Sequence, residues 1–307
     1  MADTKLFDDW NVQLAKTYKD GMLEPDTWFS VSQKINGVRA TCFGDKLISR
    51  TGHEILGFDG ILADIKTLSR CLGGRFAFDG ELRLKDVFAK DLDDNAAFKQ
   101  SVGIANTQND FSNKYKLNFI IFDIIPLKTF AYEQPTDKYT VRLRVLNEIK
   151  YIIAREYLPS LQVVPILYSG TDISMIDQCA MQAEADGWEG IMINLDKSYQ
   201  YKRTGNILKY KQFKTIDLMV CGYTEGTGKY EGTLGAIVCH YKNNLVAVGS
   251  GFTDEQRMHI WANRPIYMGR IIEVKYKDVT SDKFTGLESL QFPVFKGFRM
   301  DKETPDA

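Results

Sequence analysis

Runs of apolar residues predict that the first two thirds of the chain combine strands and helices. The segments WFSVSQK, VRATCFG and KLISR, between residues 28 and 50, predict extended structure joined by turns at Asn36-Gly37 and Gly44-Asp45. Asn-Gly between apolar runs is the strongest short hairpin signal. The first turn is therefore predicted to be a hairpin, with Lys34 on its entry and Arg39 on its exit.

Further strands are predicted along the same region. RFAFDGELRL, residues 75–84, predicts a strand, a turn centred on Asp79-Gly80 and a second strand. KLNFIIFDII, residues 116–125, is a continuous apolar run of the kind found in buried central strands. EGIMINL and ILKYKQF predict two more strands later in the chain.

Two segments have helical periodicity. Residues 137–158 predict a helix whose apolar positions recur near the helical period at Val141, Val145, Ile149 and Ile152. Residues 172–186 predict a second helix, which Gly187 would end.

The pattern changes near Lys214. From there to the end, short strands are separated by Gly-rich turns, with one helical patch at residues 254–262. Several short strands in about ninety residues favour a small barrel of the OB type. We therefore predict an α+β domain over residues 1–213 and a small all-β OB-fold domain over residues 214–307.

Composition narrows the class of protein. The chain has 307 residues, 44% of them hydrophobic and 26% charged, and a net charge of -1. That is ordinary globular composition, so any basic surface must be local. No apolar run is long enough to span a bilayer, and the first ten residues have no apolar signal core. The five cysteines are scattered along the chain, and no two of them form a CxxC pair. These features predict a cytoplasmic protein with reduced, mostly buried cysteines and no zinc cluster.

The Gly-rich segment GYTEGTGKY does not fit a phosphate-binding loop. Such a loop has Gly, four residues and then Gly-Lys-Ser/Thr. Here Tyr223 replaces the first glycine, and Tyr230 replaces the hydroxyl residue that would hold magnesium. The segment instead predicts a hairpin turn of the small barrel.

An ordered series of short motifs carries the functional signal. Each alone fits a solvated turn or an exposed strand face, since a charge beside a glycine is common at surfaces. The series is Lys34-Ile35-Asn36-Gly37-Val38-Arg39, Ser49-Arg50-Thr51-Gly52, Asp79-Gly80-Glu81, Phe122-Asp123, Glu189-Gly190-Ile191-Met192, Leu208-Lys209-Tyr210-Lys211 and Arg299-Met300-Asp301-Lys302. In this order the motifs resemble those of the covalent nucleotidyltransferases, and most of all the compact ATP-dependent DNA ligases of viruses and phages.

The resemblance implies that Lys34 attacks the α-phosphate of ATP and forms a lysine–AMP adduct. AMP then passes to the 5′-phosphate of a nick in duplex DNA, and the 3′-hydroxyl attacks to seal the nick. An ammonium group has no lone pair, so the lysine must first lose its proton. Arg39, Lys209 and Lys211, together with Mg²⁺, would disfavour that proton and neutralise the phosphate oxygens.

The resemblance also implies the metal and base contacts. Glu189 matches the carboxylate that holds Mg²⁺ or Mn²⁺ near the α-phosphate. Glu81 matches a second acidic position, associated with the ribose and with metal during the DNA steps. Phe122 matches an aromatic residue that stacks on adenine.

Arginines complete the implied nucleotide and DNA contacts. Arg39 and Arg50 match positions near the nucleotide and the 5′-phosphate of the nick, and Arg203 matches a further arginine ahead of the Lys-x-Lys motif. Residues 197–214, KSYQYKRTGNILKYKQFK, are the most basic stretch and carry interleaved aromatics. The expected partner is therefore nicked duplex DNA, bound through its phosphates without base readout. We expect the protein to be a monomer and to have no membrane partner.

The last motif lies in the predicted OB domain. Arg299, Asp301 and Lys302 match a motif that orients the leaving pyrophosphate during the first step only. This role implies that the OB domain moves about a hinge near Lys214.

Other functions stay open at the sequence level. Asn36 stands where DNA ligases usually have aspartate, while Lys-x-Asn-Gly occurs among RNA ligases. An RNA ligase is therefore the main alternative, and a capping guanylyltransferase is a weaker one. The absence of zinc cysteines and of a nicotinamide module disfavours an NAD⁺-dependent ligase. A non-catalytic OB-type nucleic-acid-binding protein would not need Lys34, Glu189 and Lys209 together.

Overall fold

The chain folds as two compact units, Met1–Lys211 and Gln212–Ala307. The computed structural model describes residues 9–211, 214–276, 279–282 and 285–307. The predicted boundary between residues 213 and 214 lies beside residues 212 and 213, which are outside the described residues. It therefore stays a prediction.

Two five-stranded sheets form the frame of the described part of the first unit. Their strands are β1 (Leu14–Thr17), β2 (Phe29–Gln33), β3 (Val38–Phe43), β4 (Lys46–Ser49), β5 (Phe76–Leu84), β6 (Leu117–Pro126), β7 (Leu161–Val163), β8 (Ile166–Gly170), β9 (Ile191–Leu195) and β10 (Arg203–Tyr210). One sheet has the order β1-β10-β9-β2-β8 and the other β4-β3-β5-β6-β7. The run KLNFIIFDII forms β6, an interior strand as predicted.

Helices cover the two sheets. They are α1 (Asp59–Cys71), α2 (Asp86–Ala89), α3 (Asp94–Asn106), α4 (Leu127–Ala131), α5 (Tyr139–Arg155) and α6 (Ser174–Ala185). The largest core packs α1, α3 and α5 against the sheet that contains β5, and a second core packs α6 against the sheet that contains β2. The sequence analysis did not predict α1 or α3.

The predicted hairpin at Asn36-Gly37 is wrong. β2 ends at Gln33 and pairs with β8 and β9, whereas β3 begins at Val38 and pairs with β4 and β5. Residues 34–37 therefore cross from one sheet to the other. Gly37 is needed for close packing, because a Cβ on it would lie 2.4 Å from the carbonyl oxygen of Leu82.

The predicted turn at Asp79-Gly80 is also wrong, because Phe76–Leu84 is one continuous strand. Its pairing with β6 shifts register between Asp79 and Gly80. A Cβ on Gly80 would lie 2.6 Å from the carbonyl oxygen of Ile120. The glycine therefore permits a close approach at a bulge, which a sequence pattern does not distinguish from a turn.

Both predicted helices of this unit are confirmed. α5 buries Leu143, Leu146, Ile149 and Ile152, whereas the predicted apolar position Val141 is exposed. The buried stripe instead begins at Tyr139 and passes through Leu143 and Leu146, so Val141 lies off it. α6 ends before Gly187, which has a φ of +68°.

The second unit is predominantly β, as the sequence predicts. Its described elements are β11 (Lys214–Glu225), β12 (Leu234–Tyr241), β13 (Asn244–Val248), α7 (Asp254–Ala262), α8 (Arg264–Tyr267), β14 (Ile271–Tyr276), β15 (Val279–Ser281), β16 (Glu288–Leu290) and β17 (Val294–Phe298). The main sheet has the order β13-β12-β11-β14-β17. A bridge between Ser250 and Val294 joins its two edges, with the Phe295 amide donating to the Ser250 carbonyl at 2.8 Å. The sheet therefore closes on itself.

Cysteine usage agrees with the sequence analysis in the part of the chain that the structure describes. Cys42, Cys71, Cys179, Cys221 and Cys239 are free, and three of them are buried. No helix among these residues is long and apolar enough to cross a membrane.

Candidate active site

The crossing segment and the strands around it enclose a cavity of about 220 Å³ in the first unit. Its wall includes seven of the residues predicted from sequence, namely Lys34, Arg39, Arg50, Glu81, Phe122, Arg203 and Lys209. Lys34 enters the wall directly after β2 ends, on the segment that crosses between sheets. Both sheets therefore contribute to one cavity.

Lys34 and Lys211 share one carboxylate. The Nζ of Lys34 donates to one oxygen of Glu189, and the Nζ of Lys211 donates to the other. Burial by itself raises the pKa of Glu189, but the two ammonium groups outweigh it and lower the pKa below the ordinary value. Glu189 is therefore ionised at neutral pH and connects two predicted motifs that are far apart in sequence.

Gly190 brings these motifs together. Its carbonyl accepts from the backbone amide of Lys34 at 2.9 Å. Its φ of +138° favours glycine, and a Cβ there would lie 2.3 Å from the carbonyl oxygen of Tyr210. The glycine thus allows the chain to pass close to both Lys34 and Lys211.

Arg39 is fixed by a buried carboxylate that the sequence analysis did not select. Asp79 is fully buried and accepts from Arg39 Nε at 2.7 Å and Nη2 at 2.5 Å. The hydroxyl of Tyr199 donates to Asp79 at 2.6 Å. Asp79 was visible in the Asp79-Gly80-Glu81 motif, yet nothing in the sequence indicated which carboxylate would pair with the arginine.

Phe122 lines the same cavity and lies beneath Arg39. The guanidinium carbon of Arg39 lies 4.5 Å from the centroid of the Phe122 ring. Such a cation–π contact is an attraction between the cation and the face of the ring. The predicted base-stacking residue and the predicted phosphate-binding arginine therefore support each other.

Glu81 lies opposite Arg39 in the register of β3 and β5. Burial raises its pKa to about 7, although the charges of Arg39 and Lys34 act in the opposite direction. Glu81 therefore gains or loses its proton near neutral pH.

Lys209 and Arg203 add positive charge from β10. Burial lowers the pKa of Lys209, and the nearby charges of Lys211, Arg203 and Lys34 lower it further. Arg203 donates to the carbonyl oxygen of Ala15 at 2.7 Å. The wall of the cavity is thus rich in cations, as a site for a polyphosphate requires.

Glu81 and Glu189 are the two carboxylates that the sequence analysis predicts as metal ligands, and carboxylate oxygens are ligands that magnesium prefers. Glu81 and Glu189 are close enough that the charge of Glu189 raises the pKa of Glu81. The described residues contain no cluster of three or more metal-ligating side chains. A magnesium ion here would take its other ligands from nucleotide phosphates and water, as it commonly does.

The last predicted motif lies in the second unit. Asp217 is buried and accepts from Arg299 Nη1 at 2.9 Å and from Lys302 Nζ at 2.7 Å. Asp301 accepts from Arg299 Nε and Nη2 at 3.0 and 2.9 Å. Arg299 and Lys302 are therefore both bound to carboxylates of the second unit.

The structure thus brings together, in the first unit, nine of the twelve residues to which the sequence analysis gives a role. They are Lys34, Arg39, Arg50, Glu81, Phe122, Glu189, Arg203, Lys209 and Lys211. Sequence reasoning missed Asp79 and also the polar residues Gln13, Gln33 and Asn194, which line the cavity. Isolated amides in strands give no sequence signal for a ligand contact.

Two family models match the chain. Residues 12–211 match the ATP dependent DNA ligase domain, and residues 225–299 match the DNA ligase OB-like domain. Each match falls within one of the two structural units, and together they support the predicted α+β plus OB-fold architecture.

The chain is also similar to a DNA ligase sequence and to solved structures. A DNA ligase of Haemophilus influenzae is 24% identical over 282 residues, covering 91% of both chains. The solved structure named Pmar-Lig_Pre is 25% identical with a TM-score of 0.72, covering 95% of this chain and 68% of its own. A structure of the Lig E DNA ligases is 22% identical with a TM-score of 0.63, covering 94% and 99%.

Proposed function

From the premise that the chain belongs to the family of ATP-dependent DNA ligases, we propose that the protein seals nicks in duplex DNA. We further propose that Lys34 is the nucleophile that carries AMP. The observation that carries this proposal is the placement of Lys34. Its side chain lies in the wall of a cation-rich cavity and pairs with Glu189, which also binds Lys211.

In the first step, the Nζ lone pair of Lys34 attacks the α-phosphorus of ATP. The P–N bond forms as the bond to pyrophosphate breaks, and the proton of the amine passes to solvent. Arg39, Lys209 and Lys211 neutralise the phosphate oxygens on which charge is spread during transfer. Phe122, supported by Arg39, is suited to stack on adenine.

In the second step, a 5′-phosphate oxygen of the nick attacks the same phosphorus and Lys34 leaves as an amine. In the third, the 3′-hydroxyl attacks the 5′-phosphorus, the phosphodiester forms and AMP leaves. A divalent cation held by Glu189 and Glu81 would supply further positive charge at these phosphates. Arg50 and Arg203, both exposed, are suited to hold DNA phosphates beside the cavity.

Comparing nicked DNA with nicked RNA tests which of the two the protein joins. We expect single-turnover sealing of a nicked DNA duplex to exceed sealing of the same nick in double-stranded RNA by about a hundredfold or more, because the family acts on DNA. The control is a DNA duplex whose nick lacks the 5′-phosphate and which therefore cannot accept AMP. Faster joining of RNA ends would support the RNA-ligase alternative that Asn36 raises.

The raised pKa of Glu81 leads us to expect that the rate of the final, nick-closing step depends on pH. The Glu81 pKa of about 7 lies above the ordinary carboxyl value, so the ionised form increases as the pH rises from 6 to 8. We expect closure of a pre-adenylylated nick to accelerate by about tenfold over that range, because only the ionised form attracts metal or accepts a hydroxyl proton.

Glu81→Gln should slow closure and remove that dependence. A pre-adenylylated substrate is used because its closure does not require Lys34 to react with ATP. The matched control is Glu54→Gln, which alters a surface carboxylate that pairs with Lys46. An unchanged pH profile in Glu81→Gln would contradict this role.

A further inference from the structure

The segment that carries Lys34 is a wall between two cavities. Gln33 and Ile35 line the cavity that contains Lys34, and they also line a second cavity of about 650 Å³. Packing on the second side is therefore incomplete. The orientation of Lys34 must depend on contacts that hold the segment itself.

A polar clamp holds this segment on the side of the second cavity. The Nδ2 of Asn36 donates to Asp94 Oδ2 at 2.8 Å. The Nη1 of Arg83 donates to Asp94 Oδ1 at 2.7 Å and to the backbone carbonyl of Asn36 at 3.1 Å. An ionised carboxylate can only accept, so the amide orientation of Asn36 is fixed by its partner.

The clamp is connected to the predicted active site through β5. Arg83 follows Glu81 by two residues, so both side chains lie on the same face of the strand. Gly37 packs against Glu81 and Leu82, because a Cβ on Gly37 would lie 2.7 Å from Glu81 Cγ. A shift of residues 36–37 would therefore move Lys34 relative to Glu81 and Arg39.

We propose that Asp94, with Arg83, is a positioning residue for the nucleophilic lysine. Asp94 acts through Asn36 and fixes the direction in which Lys34 approaches the α-phosphate. The carboxylate of this pair is Asp94 on α3, and Arg83 on β5 compensates its charge. The neutral amide of the pair is Asn36, on the segment that crosses between the sheets. This inference rests on the proposed role of Lys34.

The test exchanges the donor and the acceptor of the hydrogen bond between Asn36 and Asp94. Asn36→Asp places two carboxylates side by side, and we expect the rate of lysine adenylylation at saturating ATP to fall by about tenfold to a hundredfold. Asp94→Asn keeps a hydrogen-bond acceptor but removes the negative charge that pairs with Arg83, and we expect a loss of about threefold to tenfold. In the double variant the bond re-forms with its direction reversed, and the rate should return to within about threefold of the original.

Two readouts separate positioning from general damage. The KM for ATP should change little in each variant while the maximal rate falls, and closure of a pre-adenylylated nick should be retained. The matched control is Asp93→Asn, which removes a charge one residue away and keeps a side chain able to cap α3. It should react at the rate of the unmodified protein.

Some results would overturn the proposal. A double variant no faster than the slower single variant would show that no exchangeable bond positions Lys34. Full activity of Asn36→Asp would show that the clamp is not needed. If the unmodified protein forms no lysine–AMP adduct, the proposed function fails instead, which is a distinguishable outcome.

Discussion

Lys34→Arg is expected to take up no AMP from labelled ATP. Arginine keeps a positive charge beside Glu189, but its guanidinium stays protonated and offers no nucleophilic lone pair. We expect adenylylation to fall by at least about a thousandfold, measured as acid-stable label on the protein. In the unmodified protein, added pyrophosphate should remove the label, because the first step is reversible.

Two controls identify the cause of that loss. Lys99→Arg changes an exposed lysine on α3 and should label normally. Lys34→Arg should still close a pre-adenylylated nick, since that step forms no bond to lysine. Retained labelling of Lys34→Arg would show that another residue carries AMP.

Asp79→Asn is expected to lower both stability and adenylylation. The substitution leaves Arg39 in the site without its buried counter-charge. Breaking such a pair costs about 3–5 kcal/mol, which would appear as a shift in the denaturant midpoint. Arg39 would also lose its fixed orientation over Phe122, so adenylylation by the folded protein should fall by about a hundredfold.

Asp123→Asn is a close control for this change. Asp123 is also buried and also binds an arginine with both oxygens, accepting from Arg142 Nε at 2.7 Å and Nη2 at 3.0 Å. We expect a similar loss of stability and a much smaller loss of adenylylation, measured well below the melting temperature. Equal losses of adenylylation would show that Asp79 contributes stability alone.

Sequence patterns predict most strands and three of the helices, α5, α6 and α7, but they do not identify strand partners. The strand bounds on either side of Asn36-Gly37 agree closely with the prediction, yet the two strands belong to different sheets. A turn dipeptide reports that the chain changes direction locally. Which strand lies beside it depends on contacts with distant residues, such as that of Lys34 with Gly190.

The site residues were predicted from the resemblance of an ordered series of motifs to those of a known family. That resemblance identified the charged residues of the site but not the carboxylates that hold them in place. Charged residues beside glycines are visible in sequence. The carboxylates that position them are not, since Asp79 and Asp94 resemble any other acidic residue before the fold is known. Asn36 shows the same limit. Its neutral side chain has a clear partner only once α3 is placed beside it.

The crossing of the chain at residues 34–37 has a consequence for how the protein becomes active during synthesis. β2 contains Phe29, near the start of the chain, but it pairs with Leu195 near the end of the first unit. Contacts between such distant positions form late in folding, because a long loop must close first. A nascent chain that has produced β8 but not β9 has only one of the two strands that pair with β2, and it has no Glu189 beside Lys34. The nucleophile is therefore assembled only when nearly the whole first unit has been made.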